Sequence, residues 1–212
     1  MQPFPPNEST LILQGPAGDL ELLALPTEKP SNTTAIICHP HPLFGGTMKN
    51  KVVTTLSRVC HDLGARTVRF NFRGVGKSAG IHDEGRGEVD DVLVIADWIK
   101  TNFPNDKIWL AGFSFGAYVA TKAAMKLSPA KLITIAPQAS RFKQDDLIQV
   151  TCPWILVQGE EDEVVSAEDV FAWVETLQPK PQVIRMPGAG HFFHGQLLEL
   201  RSRLESALLK DN

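Results

Sequence analysis

The sequence predicts an α/β fold, a mostly parallel eight-stranded sheet with helices on both faces. Three observations carry that expectation. From Thr34 onward, short apolar runs alternate with stretches of helical periodicity. The runs are continuous and rich in β-branched residues, as strands buried on both faces require. The residues of unusual chemistry fall just after the runs, not within them. Such alternation means parallel strands joined by right-handed helical crossovers. Ligands of such a sheet sit beyond the C-terminal ends of the strands.

The leading segment departs from this rhythm. Thr10 to Leu13 and Leu20 to Leu25 are strand-like, and Gly15-Pro16-Ala17-Gly18 between them is turn chemistry. The pair reads as a hairpin added at an antiparallel edge. Before it, the Pro-rich tip Pro3 to Pro6 suggests a loose arm over residues 1–8. After Pro30, Thr34 to Cys38 is the first fully buried strand. Val52, Val53, Leu56, Val59, Cys60 and Leu63 follow at helical spacing, and Gly64 stops that helix. Thr67 to Phe72 is a strand. Val89, Val92, Leu93 and Ala96 mark a helix face that continues toward Phe103. Lys107 to Phe113 is a strand, and Ala117 to Leu127 an alanine-rich helix. Leu132 to Ala136 and Trp154 to Val157 are strands. Ser166 is a natural N-cap for a helix marked by Val170, Phe171, Val174 and Leu177. Gln182 to Met186 is the last strand. Leu197, Leu200, Leu204 and Leu208 give the final helix its buried face.

Bulk properties bound the function. The 212 residues suit one domain over 1–212, with 43% apolar and 21% charged residues, an ordinary globular composition. A net charge of -3 supplies no basic face for nucleic acid. No apolar run approaches the roughly 20 residues that span a bilayer. Met1 to Asn7 lacks the basic-then-apolar order of a secretory signal. Cys38, Cys60 and Cys152 are odd in number and sit in apolar segments, so they read as buried thiols, not as a disulfide framework. The expectation is a cytoplasmic monomer or homodimer with no transmembrane segment, no nucleic-acid partner and no cofactor.

The chemistry concentrates after three strands. Lys107 to Phe113 runs into Gly112-Phe113-Ser114-Phe115-Gly116 and then a helix. This is G-x-S-x-G in the strand–turn–helix setting the motif needs. The turn is too tight for side chains beside Ser114, and its strain lifts the hydroxyl out of the sheet. It also places the Phe115 N–H at a helix N-terminus, aimed at a developing oxyanion. A plain N-capping serine between turn glycines is the competing reading. A serine needs a base to take its proton. Trp154 to Val157 leads into Glu160, Glu161, Asp162 and Glu163, and the last strand leads into His191 and His194. An acid and a base thus follow the serine in the order the motif expects.

These motifs resemble the α/β-hydrolase superfamily. Gly159, Asp162, Val164 and Val165 match its acid loop, which selects Asp162 over the three glutamates. Gly188, His191 and Phe192 match its base loop, which leaves His194 as a helix-end or supporting residue. More narrowly, His39-Pro40-His41-Pro42-Leu43-Phe44-Gly45-Gly46, Asn50-Lys51-Val52 and Phe70-Asn71-Phe72-Arg73-Gly74 are similar to a bacterial family of short α/β-hydrolases described as esterases. The resemblance runs from about residue 9 to 205. It implies that Asp162 orients His191, that His191 deprotonates Ser114, and that an acyl-enzyme forms and is hydrolysed. It also implies a second oxyanion donor after Cys38. Pro40 and Pro42 have no N–H, and aligning His41-Pro42-Leu43 with the superfamily's His-Gly-x pattern points to Leu43.

Two other motifs compete. His39 and His41 at i, i+2 could join His191 as zinc ligands, but the serine turn would then have no role. Ordering of the loop by their hydrogen bonds is the simpler expectation. Arg73-Gly74-Val75-Gly76-Lys77-Ser78 approaches a phosphate loop, but that motif needs Gly at position 71, where Asn71 stands. The superfamily commonly has a structural turn of this kind here. The superfamily also often inserts a helical cap between the sixth and seventh core strands. The bridge here, Pro137 to Pro153, holds one polar stretch near Arg141 to Asp146 and is too short for a cap. An open site follows, with Phe44, Phe113 and Phe192 as substrate-binding walls and Leu43, Phe115 and Phe193 as further candidates near it. The expected partner is a small acyl substrate, an ester or thioester. A peptidase or acyltransferase would use the same residues, and a non-catalytic binding or scaffold relative is the alternative outside enzymology.

Overall fold

The computed structural model describes residues 3–29, 31–142 and 148–210. The leading turn chemistry closes a hairpin of β1 (Ser9–Gly15) and β2 (Gly18–Leu25). Then come β3 (Thr33–Cys38), α1 (Lys51–Asp62), β4 (Arg66–Phe70), α2 (Arg86–Asn102), β5 (Lys107–Phe113) and α3 (Phe115–Leu127). The chain finishes with β6 (Lys131–Ile135), β7 (Trp154–Gly159), α4 (Ala167–Glu175), β8 (Gln182–Met186) and α5 (Leu197–Lys210). The eight strands form one sheet in the order β1-β2-β4-β3-β5-β6-β7-β8. β2 pairs antiparallel with β1 and with β4, and every pairing from β4 to β8 is parallel. β5 therefore lies near the middle, between β3 and β6, with its C-terminal end at the crevice edge.

The helices split by face. Val52, Val53 and Leu56 of α1 and Leu200, Leu204 and Leu208 of α5 pack on Ile37, Ala111, Ile133 and Val157. On the other face, Val92 and Ile95 of α2, Val119 and Ala123 of α3 and Val170 of α4 cover Ile36, Leu110, Leu132 and Leu156. Alternate residues of each central strand thus feed opposite cores, which is why those strands read as continuous apolar runs. Asn50 caps α1 by accepting the Val52 and Val53 N–H groups at 2.8 and 3.4 Å. Ser166 caps α4 through the Asp169 N–H, as its position predicted.

Some boundaries move. β4 stops at Phe70, two residues before the expected end. The Asn71 N–H still donates to the Glu21 carbonyl at 2.9 Å, but its side chain takes the Met48 N–H at 2.9 Å and donates to the Glu21 carboxylate at 2.7 Å, and the strand ends there. Leu177 is buried but lies beyond α4. The N-terminal arm is not loose where it is described. Phe4 stacks on Trp98 with centroids 5.3 Å apart, meets Phe103 edge-on, and its N–H donates to Asn102 at 2.8 Å. Apolar contact and one hydrogen bond pin a segment whose prolines alone suggested freedom. The three cysteines are free thiols, Cys38 and Cys60 buried and Cys152 half-buried. Among the described residues no helix is long and apolar enough to cross a membrane.

Candidate active site

Ser114 sits between β5 and α3 with φ 55° and ψ −118°, a strained conformation for a residue with a side chain. The strain is held by its neighbours. The Ser114 N–H donates to the Ile135 carbonyl at 2.8 Å. A Cβ at Gly112 would collide with the Gly116 carbonyl, and one at Gly116 with the carbonyls of Cys38 and His39. The second contact presses the first turn of α3 against the end of β3. It brings the His39–Gly46 loop beside Ser114.

The loops after β7 and β8 complete the group. The Ser114 Oγ lies 3.1 Å from His191 Nε2, and His191 Nδ1 lies 2.8 Å from Asp162 Oδ2. All three side chains are withdrawn from solvent, Ser114 and His191 being 3% exposed as residues. Asp162 Oδ1 accepts the N–H groups of Val164 and Val165 at 2.9 and 2.7 Å. The two valines of the acid loop therefore serve through their backbone. Gln158 donates to Asp162 Oδ2 at 3.2 Å. Burial works to raise the Asp162 pKa, but the bonds from His191, Val165 and Val164 outweigh it, and the carboxyl stays below its ordinary range. Glu163 takes a different part: it accepts the His191 N–H at 3.0 Å and ties the acid loop to the base loop. Phe113 packs under the His191 ring with centroids 4.9 Å apart, and Phe192 meets that ring edge-on at 5.0 Å.

A cleft of about 390 Å³ opens over this group, lined on its apolar side by Phe44, Val164 and Phe192 and on its polar side by His41, Asn50 and Gln138. Chemically, the floor combines a hydroxyl, an imidazole in contact with it and a carboxylate behind the imidazole.

The family model for the α/β hydrolase fold matches residues 43–140. A solved α/β serine hydrolase without a lid, from Xanthomonas campestris, is 44% identical, with a TM-score of 0.94 over 99% of this chain and 97% of that one. The chain belongs to the α/β-hydrolase family. An α/β serine hydrolase homologue from Coxiella burnetii shares 46% identity with this hydrolase, with a TM-score of 0.89 over 95% and 98% of the two chains. A Rickettsia prowazekii protein described only as uncharacterized is 34% identical over 209 residues, 94% of this chain and 88% of that protein. Among the described residues the fold carries no cap domain, in keeping with the short bridge between β6 and β7. Residues 143–147 of that bridge lie outside the described residues.

Several sequence expectations need correction. Leu43 does not line the cleft. Its side chain is 69% exposed, and its N–H points back at the His41 ring, 3.3 Å from Nδ1. Pro42, Leu43 and Phe44 form a 3-10 turn with His41 at its N-cap, and the turn swings Leu43 outward. His41 instead lines the cleft beside Ser114. Neither its N–H nor that of Phe115 takes a backbone acceptor among the described residues. Phe113 is no substrate wall either. It is fully buried in the core between the sheet and α1 and α5. Phe115 and Phe193 are likewise buried; Phe44 and Phe192, 85% and 40% exposed, are where walls were expected. His194 is exposed and touches Phe192, not Ser114.

The zinc arrangement is excluded by hydrogen bonds already made. His39 Nδ1 lies 2.6 Å from the Pro40 carbonyl, so it donates, and Nε2 accepts the Phe72 N–H at 3.0 Å. His191 has both nitrogens engaged as well. Among the described residues no three His, Cys, Asp or Glu side chains group as metal ligands.

The His39 bonds have a consequence for stability. The ring must stay neutral to accept from Phe72, and burial, against the pull of the Pro40 carbonyl, pushes its pKa from 6.5 down to about 4. Between those values the unfolded chain binds a proton that the folded chain refuses. Stability is therefore complete above about pH 6.5 and falls as pH drops toward 4, by about 1.4 kcal/mol per unit from this group. Urea midpoints at pH 7.5 and 5.0 test this. The wild type should lose more stability on acidification than His39→Gln, and equal losses would refute the assignment.

Proposed function

We propose that this hydrolase cleaves carboxylic esters or thioesters of small acyl groups through an acyl-enzyme on Ser114. The observation that carries the reading is the unbroken hydrogen-bonded line from Ser114 through His191 to Asp162. His191 Nε2 takes the hydroxyl proton as Oγ attacks the acyl carbon. Asp162 accepts a hydrogen bond from the Nδ1–H and stabilises the imidazolium. The N–H groups of Phe115 and His41 receive the oxyanion, with the N-terminus of α3 adding its dipole. His191 then protonates the leaving group, and water repeats the cycle to free the acid.

The cleft favours modest acyl groups. Phe44, Val164 and Phe192 offer an apolar wall, yet among the described residues no cap encloses a long chain. A fluorophosphonate probe should give one adduct, on Ser114, absent in Ser114→Ala and weakened in His191→Ala. A p-nitrophenyl ester series from acetate to palmitate should peak at the short end. A folded protein that resists the probe would overturn the reading.

A further inference from the structure

Arg141 lies in the short bridge between β6 and β7, where other members of the superfamily insert a cap. Its side chain reaches back across the site. Nη2 lies 2.9 Å from His41 Nε2, Nε donates to Gln138 Oε1 at 2.8 Å, and Nη1 reaches Glu84 at 3.3 Å. Its guanidinium carbon sits 5.0 Å from the Phe115 ring centroid, a cation–π distance. Arg141 thus touches the side chains of both residues whose N–H groups are assigned to the oxyanion.

The chemistry at His41 makes this contact directional. Guanidinium only donates, so His41 Nε2 must present its lone pair. The Leu43 N–H faces the other ring nitrogen, 3.3 Å from Nδ1, so two donors compete for the one lone pair of a neutral imidazole, and the 2.9 Å contact from Arg141 is the shorter. The ring is held on its other sides by Phe44, His82 and Phe115 at centroid distances of 4.9, 4.9 and 4.8 Å. The His41 carbonyl accepts the N–H groups of Phe44 and Gly46 at 3.1 and 3.0 Å. The His41 N–H shares its peptide plane with the Pro40 carbonyl, which His39 Nδ1 holds at 2.6 Å, so ring, carbonyl and preceding peptide are all engaged. Among the described residues no other hydrogen bond ties the loop to the bridge between β6 and β7.

We propose that Arg141 is a positioning residue that latches the His41 loop and so sets the second oxyanion donor. The short bridge does with one arginine what a cap would do by packing over the loop. The inference rests on the serine hydrolase reading above and adds a role to it. Arg141 touches no reacting atom. It acts through the orientation of His41, so its loss raises the barrier without weakening ground-state ester binding.

The test compares wild type, Arg141→Ala, Arg141→Lys and Glu84→Gln with p-nitrophenyl acetate and with a boronic acid that mimics the tetrahedral intermediate. Arg141→Ala should lower kcat roughly 10- to 100-fold, below the loss for deleting a donor outright, with KM changed less than about threefold. Its affinity for the boronic acid should fall by the same factor as kcat/KM. Arg141→Lys keeps the charge but not the fork, and should lose most of the same activity. It carries the test if the alanine variant does not fold. Glu84→Gln, which removes the charge facing Arg141 and His82 but keeps an acceptor oxygen, should stay near wild type. Unchanged kcat in folded Arg141 variants overturns the latch. So does a loss confined to KM, or one matched by Glu84→Gln. A wild type that the fluorophosphonate probe leaves unlabelled overturns the hydrolase reading itself, so the two failures are distinguishable.

Discussion

Asp162→Asn is expected to lower kcat by roughly 10⁴-fold while leaving the fold intact, a magnitude seen when this position of a serine triad is neutralised. The local hydrogen bonds dictate the reason. Oδ1 of Asp162 accepts two backbone N–H groups, from Val164 and Val165. An asparagine must therefore keep its carbonyl oxygen there and turn its amide NH₂ toward His191 Nδ1. That NH₂ can only donate, so Nδ1 becomes the acceptor and the imidazole proton moves to Nε2. Nε2 then points a hydrogen at the Ser114 hydroxyl and cannot take its proton.

The same substitution sets Gln158 against the new NH₂, donor against donor. Gln158 is fully buried, and its Oε1 has no hydrogen-bond partner. A flip of its amide presents that oxygen to the asparagine, at the expense of its bond to the Gly159 carbonyl. Structural cost is thereby limited, and the loss should appear in kcat at unchanged melting temperature. Initial rates with p-nitrophenyl acetate, paired with a thermal melt, read both. A variant retaining more than a tenth of wild-type kcat would show that Asp162 does not set the His191 tautomer.

What the sequence made legible follows from how local each signal is. Ser114 was readable because strand, tight turn and helix are contiguous, and Gly112 and Gly116 are needed within two residues of it. The acid and base loops were readable because each follows its strand directly, and the resemblance to the superfamily's loops singled out Asp162 and His191 within them. The second oxyanion donor was not. Which N–H of the His39–Gly46 loop faces the cleft depends on a 3-10 turn that His41 caps, and the family pattern that pointed to Leu43 carries no sign of that turn. Phe113 failed for a related reason: on a strand buried on both faces, apolar identity does not tell which side a ring enters. Arg141 stood in a polar stretch that reads as solvated. Its partner His41 is a hundred positions away, and no periodicity connects them. The docked N-terminal arm likewise depends on Trp98 and Phe103, distant rings that prolines nearby say nothing about.

Asp91→Ala is expected to destabilise the protein by roughly 3–5 kcal/mol, the range for breaking one side of a buried ion pair. Arg73 and Asp91 meet at 2.7 Å with side-chain exposures of 11% and 0%. Asp91 also accepts the Arg73 backbone N–H at 3.1 Å and its Nε at 3.2 Å. The alanine leaves a guanidinium that cannot shed its proton, buried against Gly87, whose missing side chain makes room for it. Burial lifts the Asp91 pKa despite the pull of Arg73, a sign that desolvation consumes much of what the pair gains. The double variant Arg73→Met/Asp91→Leu should accordingly cost less than Asp91→Ala alone, since no charge is then stranded. Urea unfolding of the three proteins at pH 7.5 measures the difference. A double variant as unstable as Asp91→Ala would mean that the pair contributes net stability. The turn after β4 would then owe its place to that attraction, and not to the cost of leaving either charge alone.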